Sequence, residues 1–209
     1  MTSTIGKELL QKLQGTTTPV QKMPVEKLNQ YTDKNHQGAI AFLSPIEFYN
    51  IETLVPTLFE QGKTPLLMVL DGVTDVRNFG AIARTCYAAG VDAIVIPSRG
   101  SALINGDAMK TSAGALSRIN VCRVENIKDT IDFLKSSGVR IVSVSEKGRK
   151  NIWESDFKVP VAIMMGSEED GISEAYLKRS DEHLLIPMPG DIDSLNVSVA
   201  TGIISFEVV

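Results

Sequence analysis

"LLMVLDGVTDVRNFGAIARTCYAAGVDAIVIP", residues 66–97, decides the fold of this chain. It opens on a short apolar run, LLMVL (66–70), and closes on another, AIVIP (93–97). Neither run alternates with polar residues, which marks strands buried on both faces. A helical pattern spans roughly residues 78–89 between them. Strand, helix and strand in succession predict parallel neighbours in one sheet.

The same alternation continues downstream. RIVSV (140–144) and VAIMM (161–165) are further buried-strand runs, and VCRV (121–124) and HLLIP (183–187) add two shorter strands. Helical patterns lie at roughly 105–116 and 126–137. The expected class is α/β, a mostly parallel sheet covered on both faces. Upstream, Ile5, Leu9 and Leu13 recur at helical spacing, Val25 and Leu28 suggest a second short helix, and GAIAFL (38–43) reads as a strand. Ile51, Leu54, Val55, Leu58 and Phe59 mark an amphipathic helix. Gln61-Gly62-Lys63-Thr64-Pro65 stops that helix with Gly and then Pro. The chain is therefore expected to divide into residues 1–62, a small α+β region, and 63–209, the α/β domain. A tight turn within one domain is the competing reading of that stop.

Composition excludes several classes. Of the 209 residues, 43% are hydrophobic and 22% charged, the balance of an ordinary globular protein, and no apolar run approaches the roughly 20 residues a membrane helix needs. The opening MTSTIGKELLQKLQG lacks the apolar stretch and cleavage site of a signal peptide, so none is expected. Cys86 and Cys122 sit in apolar surroundings, read as buried reduced thiols that suit the cytoplasm. His36 and His183 have no partner at metal-ligand spacing, and no metal is expected. The net charge of −4 argues against a protein coated in positive charge for nucleic acid. Yet Arg77, Arg84, Arg99, Arg118 and Arg123 are concentrated in the middle of the chain, which permits an RNA-binding surface.

Ligands on such sheets bind at loops beyond the carboxyl ends of strands. The loop LDGVTDVRNFGAIART (70–85) carries no GxGxxG, so a dinucleotide site is unsupported. It offers Asn78 and Arg84 around the start of a helix, with Gly80 allowing close backbone approach. In MMGSEEDGIS (164–173), Gly166 lets the backbone pass close to a ligand and Ser173 can cap the next helix. In IPMPGDIDSLNVSVATG (186–202), Ser194 and Asn196 head an almost wholly apolar terminal helix. Capping explains one of them, and Asn196 one step inside the helix is less easily explained that way.

In that order and spacing, DVRNFGAIARTCYAAGV (75–91), MMGSEEDGIS and IPMPGDIDSLNVSVATG resemble the SpoU-class RNA ribose 2'-O-methyltransferases of the SPOUT superfamily. AMKTSAGAL (108–116) also looks like a family segment, and the likeness covers most of residues 66–209. NHQGAIAF (35–42) resembles the end of the small RNA-binding domain of the 23S rRNA guanosine methyltransferases. Residues 1–62 would then be an abbreviated form of that domain, divergent or truncated. The resemblance implies an α/β knot, in which the C-terminal part of a mostly parallel sheet threads a loop as a trefoil knot. It implies S-adenosylmethionine held in the knot's loops, no metal, an RNA substrate, and a homodimer packed through the terminal helix. Leu195, Val199, Ile203 and Phe206 would form one stripe of that helix, and Val197, Ile204 and Val208 another.

Asn78, Arg84, Glu168, Ser194 and Asn196 stand at the family's catalytic motif positions. Gly166, Ile186 and Leu195 stand where its backbone contacts the methyl donor, and Met188 is their neighbour in the same loop. Glu169 departs from the pattern, at a position often held by glycine. The implied reaction is methyl transfer to a ribose 2'-hydroxyl, most readily of a guanosine in 23S rRNA, with tRNA as the rival target. An arginine, with pKa above about 12, resists the role of base, so Arg84 is read as a phosphate clamp that also steadies developing alkoxide charge. Two further readings stay open: a SPOUT-type RNA-binding protein without catalysis, and an unrelated α/β enzyme of phosphate ligands. Whether S-adenosylmethionine binds separates that last reading from the rest.

Overall fold

Leu66–Leu70 (β1) is buried at every position, as its uninterrupted apolar run predicts. Its side chains alternate between two cores: Leu66, Met68 and Leu70 enter one, Leu67 and Val69 the other. Ala93–Pro97 (β2) and Val161–Met165 (β6) divide in the same way. Asn120–Val124 (β3), Arg140–Val144 (β4), Lys150–Asn151 (β5) and Glu182–Leu185 (β7) complete the sheet. Its order is β3-β2-β1-β6-β4-β7-β5, and every one of these pairings is parallel. This computed structural model describes residues 4–16, 20–41 and 44–209. Among them no helix is long and apolar enough to cross a membrane.

Helices cover both faces of the sheet. Val76–Ala88 (α4), Gly106–Thr111 (α5) and Val197–Val208 (α8) lie over the first core through Phe79, Ile82, Cys86, Ala108, Val197 and Ile204. Ile51–Glu60 (α3), Ile127–Ser136 (α6) and Glu174–Leu177 (α7) lie over the second, where Val55, Leu58, Ile131 and Leu134 are buried. The role of α3 corrects the expected boundary. The chain divides into compact units Met1–Leu43 and Ser44–Val209, not near residue 62, because α3 contributes its apolar stripe to the core of the larger unit. Gln61 and Gly62 are a turn inside that unit.

The smaller unit contains helices Thr4–Lys12 (α1) and Val25–Leu28 (α2). The strand expected at 38–43 is absent over residues 38–41, while Phe42 and Leu43 lie outside the described residues. Local bonding explains it. Gln37 and Gly38 both adopt left-handed backbone, and His36 closes the turn by accepting from the Gly38 N–H at Nδ1 (3.0 Å). The ring proton therefore sits on Nε2, which donates to Asn29 Oδ1 at 2.8 Å. Similarly, the helix expected at 105–116 ends at Thr111: Ala113 and Gly114 are left-handed, and a short 3₁₀ turn follows at Ala115–Ser117.

Strand order places the functional loops. From β1 the chain moves outward through β2 to β3, then crosses to β4, and β6 returns to fill the gap beside β1. The carboxyl ends of β1 and β6 thus meet at a topological switch point, where open α/β sheets form their ligand crevice. The ladder runs one bond further there, from the Asp71 N–H to the Met165 carbonyl at 2.9 Å.

Candidate active site

Two loops leave this switch point side by side. The first, after β1, enters α4, whose N-terminus is capped by Asp75 accepting from the Asn78 N–H at 2.7 Å. That cap fixes the first turn of α4 and aims the Asn78 side chain across at the second loop. The second, after β6, folds back on itself: Ser167 and Gly171 pair antiparallel, and Ser167 Oγ accepts from the Asp170 N–H at 3.0 Å. Gly166 is required by this fold-back. A Cβ there would stand 2.0 Å from the Gly171 carbonyl carbon and 2.3 Å from the Ile172 nitrogen. The loop's own backbone already imposes a close approach at Gly166. Gly80 is similar, since its Cβ would meet the Ala108 carbonyl oxygen and Thr111 Cβ at 2.8 Å, where α4 crosses α5.

Glu168, at the tip of the second loop, joins three segments. Its Oε1 accepts from Asn78 Nδ2 (3.1 Å), Asn196 Nδ2 (2.5 Å) and the Val197 N–H (3.2 Å). Asn196 Nδ2 also donates to Asn78 Oδ1 at 3.0 Å. Its other amide atom, Oδ1, accepts from the Ser198 N–H at 2.9 Å and from Ser198 Oγ at 2.5 Å. Asn196 is thus the N-cap of α8, not a residue one step inside it. Its oxygen caps the helix while its amide nitrogen, Nδ2, holds the other two motifs. The Glu168 carboxylate meets the positive end of the α8 dipole, a favourable placement for an anion. Ser173 heads α7 without a side-chain capping bond; its N–H donates instead to Asp71 Oδ2 at 2.7 Å.

Beside this network opens a cavity of about 340 Å³, within the range of small-ligand sites. Gly166, Glu168, Ile186, Met188, Ser194 and Leu195 all line it. Ile186, Met188 and Leu195 offer an apolar wall and the carboxylates a polar mouth, which suits a ligand that is part ring, part cation. Ser145, Glu146 and Lys147, from the loop after β4, line it too. The sequence reading missed them because nothing in SEK is distinctive; only the adjacency of β4 to β6 brings that loop in. Among the described residues no three His, Cys, Asp or Glu side chains group as a metal site would. A larger depression of about 450 Å³ lies past β2 and β3, lined by Ser98, Arg99, Glu125 and Tyr176 among others. None of the motif residues lines it, so size does not identify the site. Burial, then the Asp71 carboxylate, raises the Tyr176 phenol there above its ordinary pKa.

Arg84 stands apart from this cluster. It is exposed on α4, two turns from Arg77 on the same face, and lines neither cavity. Arg99 and Arg118 are exposed as well, whereas Arg123 is withdrawn: its guanidinium stacks 3.8 Å from the Phe48 ring centroid. Burial lowers its pKa, and the Glu125 charge partly offsets that. The other four arginines, Arg77, Arg84, Arg99 and Arg118, are exposed and make no side-chain hydrogen bond or ion pair among the described residues.

Known proteins resemble this chain in sequence and fold. The profile of the SpoU rRNA Methylase family matches residues 65–206. The 23S rRNA (guanosine-2'-O-)-methyltransferase RlmB of Photorhabdus laumondii is 40% identical over 181 residues, 87% of this chain and 74% of that protein. RlmB of Vibrio parahaemolyticus is 38% identical over 202 residues, 96% of this chain and 81% of that one. Among solved structures, the AdoMet-bound rRNA methyltransferase from Sinorhizobium meliloti superposes with a TM-score of 0.70 at 28% identity, spanning 78% of this chain and 60% of that one. With the family profile matching residues 65–206 and relatives 38–40% identical over most of its length, the chain belongs to the SpoU rRNA methylase family.

Proposed function

We propose that this protein transfers a methyl group from S-adenosylmethionine to a ribose 2'-hydroxyl of RNA, a guanosine of 23S rRNA. The observation that carries the reading is the meeting of Asn78, Glu168 and Asn196, from three separate segments, at the edge of a cavity lined by Gly166, Ile186, Met188, Ser194 and Leu195. Identity of 38–40% to the two RlmB proteins supports the guanosine and the ribosomal target. When bound, S-adenosylmethionine supplies a methyl carbon to the attacking ribose oxygen; the sulfur keeps the bonding electron pair and the hydroxyl proton is released. The protein's task is to orient the acceptor and to steady the charge that develops as the proton leaves.

Each motif residue has a defensible part in this. Glu168, Asn78 and Asn196 lock the two loops and the head of α8, which sets the cavity's shape. Ser194, exposed at its mouth and free of hydrogen bonds among the described residues, is positioned to contact the ribose. Arg84, exposed and unpaired among the described residues, clamps an RNA phosphate with its planar fork and steadies alkoxide charge; the proton leaves through phosphate or water. We also propose a trefoil knot and a homodimer through α8. The insertion of β6 between β1 and β4 supports the first. The open apolar stripe Val199, Ile203 and Phe206 supports the second. A ribosomal substrate and two buried free thiols, Cys86 and Cys122, support the cytoplasm. Burial pushes both thiols up to about 12, so neither is a nucleophile near neutral pH.

The deciding experiment maps 2'-O-methyls in ribosomal and transfer RNA from cells with and without the gene. Loss of one guanosine methyl in 23S rRNA is expected. Loss confined to tRNA would overturn the ribosomal assignment, and unchanged methylation would favour an RNA-binding protein without catalysis.

A further inference from the structure

Glu169 is the visible departure from the family pattern, and the donor cavity gives it a use. Five carboxylates line that cavity, those of Glu146, Glu168, Glu169, Asp170 and Asp193, against a single cation, Lys147. Glu168 is committed to Asn78, Asn196 and the Val197 N–H. Glu169 is not. It is exposed, with neither hydrogen bond nor ion pair among the described residues. The loop does not need it for its shape either, because Ser167 makes the closing bonds. Its charge is left facing whatever enters.

We propose that Glu169 makes the cavity favour the cationic sulfonium donor over the neutral thioether product, an inference that rests on this cavity being the methyl-donor site. Donor and product share the adenosine, the amino group and the carboxylate. They differ by one methyl and one positive charge on sulfur, and transfer removes both. A carboxylate near the mouth therefore attracts the donor through a charge that the product lacks. It aids capture without holding back release. A unit charge about 8 Å away in largely aqueous surroundings changes affinity roughly two- to fivefold. That is enough to matter where donor and product compete.

The test is calorimetric titration of the full chain with S-adenosylmethionine, S-adenosylhomocysteine and sinefungin, which carries a protonated amine in place of the sulfonium. Glu169→Gln removes the charge at constant shape, and Glu169→Lys reverses it. Donor and sinefungin should bind roughly two- to fivefold more weakly to Glu169→Gln and weaker still to Glu169→Lys, with product affinity nearly unchanged. The difference should shrink in about 0.5 M salt, as screening requires. Equal losses for donor and product would overturn the proposal by making Glu169 a shape determinant, and unchanged donor affinity would overturn it outright. If the parent protein bound none of the three ligands, the donor-site reading itself would fall, and this inference with it.

Discussion

At Arg84 the structure and the chemistry have to be weighed together, because its guanidinium has no partner among the described residues and lines no part of the cavity. A clamp and a base predict different variants. A clamp needs charge and fork, so Arg84→Lys should keep a small activity. Arg84→Ala should lose about 2 to 4 kcal/mol of transition-state stabilisation, by comparison with other charge-stabilising donors. A base would let lysine, with its lower pKa, overtake arginine as pH rises. Single-turnover methylation of substrate RNA across about pH 7 to 10 separates the two, and an overtaking lysine sinks the clamp. At Gly166 the expected result shifts with the geometry. Since a Cβ would strike Gly171 and Ile172, even Gly166→Ala should spring the loop and abolish donor binding. Calorimetry showing parent-like affinity in that variant would remove the loop from the site.

Helix α8 is apolar almost all round, and its two sides have different surroundings. One side, Val197 and Ile204, is buried in the first core, and Val208 packs against it. Thr201 and Ser205 are buried too, beyond the stripe the sequence suggested, on the helix that packs against α4. A Cβ on Gly202 would lie 3.6 Å from Thr85 Cγ2. The other stripe faces outward, with Val199 51% and Phe206 58% exposed. A second subunit is the partner proposed for it. Phe206→Asp should give a folded monomer, because the residue contributes little to the core, whereas the parent should be dimeric. Light scattering with circular dichroism reads both outcomes, and a monomeric parent at micromolar concentration would defeat the interface.

Across the molecule, the far edge of the sheet is pinned by charge, at the amino ends of β4 and β7. Glu182 accepts from Lys150 Nζ at 2.7 Å and Ser155 Oγ at 2.6 Å, with Arg140 3.6 Å away. Burial pushes its pKa up, but these hydrogen bonds and the Lys150 and Arg140 charges outweigh it, and the net shift is below the ordinary 4.5. A folded pKa that is depressed contributes stability present above the unfolded value and lost as pH falls through the folded one. Glu182→Gln should therefore lower the urea midpoint near neutral pH, and the gap to the parent should close as pH drops below about 4.5. A gap constant with pH would mean packing, not charge, is at stake. The strands of this sheet were legible in sequence: β1, β2 and β6 lie where continuous apolar runs put them, since burial on both faces leaves no polar position to blur the signal, and β4 lies where the mostly apolar RIVSV put it. The motif residues were legible only through resemblance, because Asn, Glu and Ser in turns read equally well as solvated caps. The tertiary structure alone showed that α3 belongs to the larger unit, that Gly166 and Gly80 answer to neighbouring backbone, and that the loop after β4 borders the cavity. The physical reason is range. A strand's identity is written in adjacent residues, whereas Asn78 and Glu168 are 90 positions apart and meet only because β6 returns to lie beside β1.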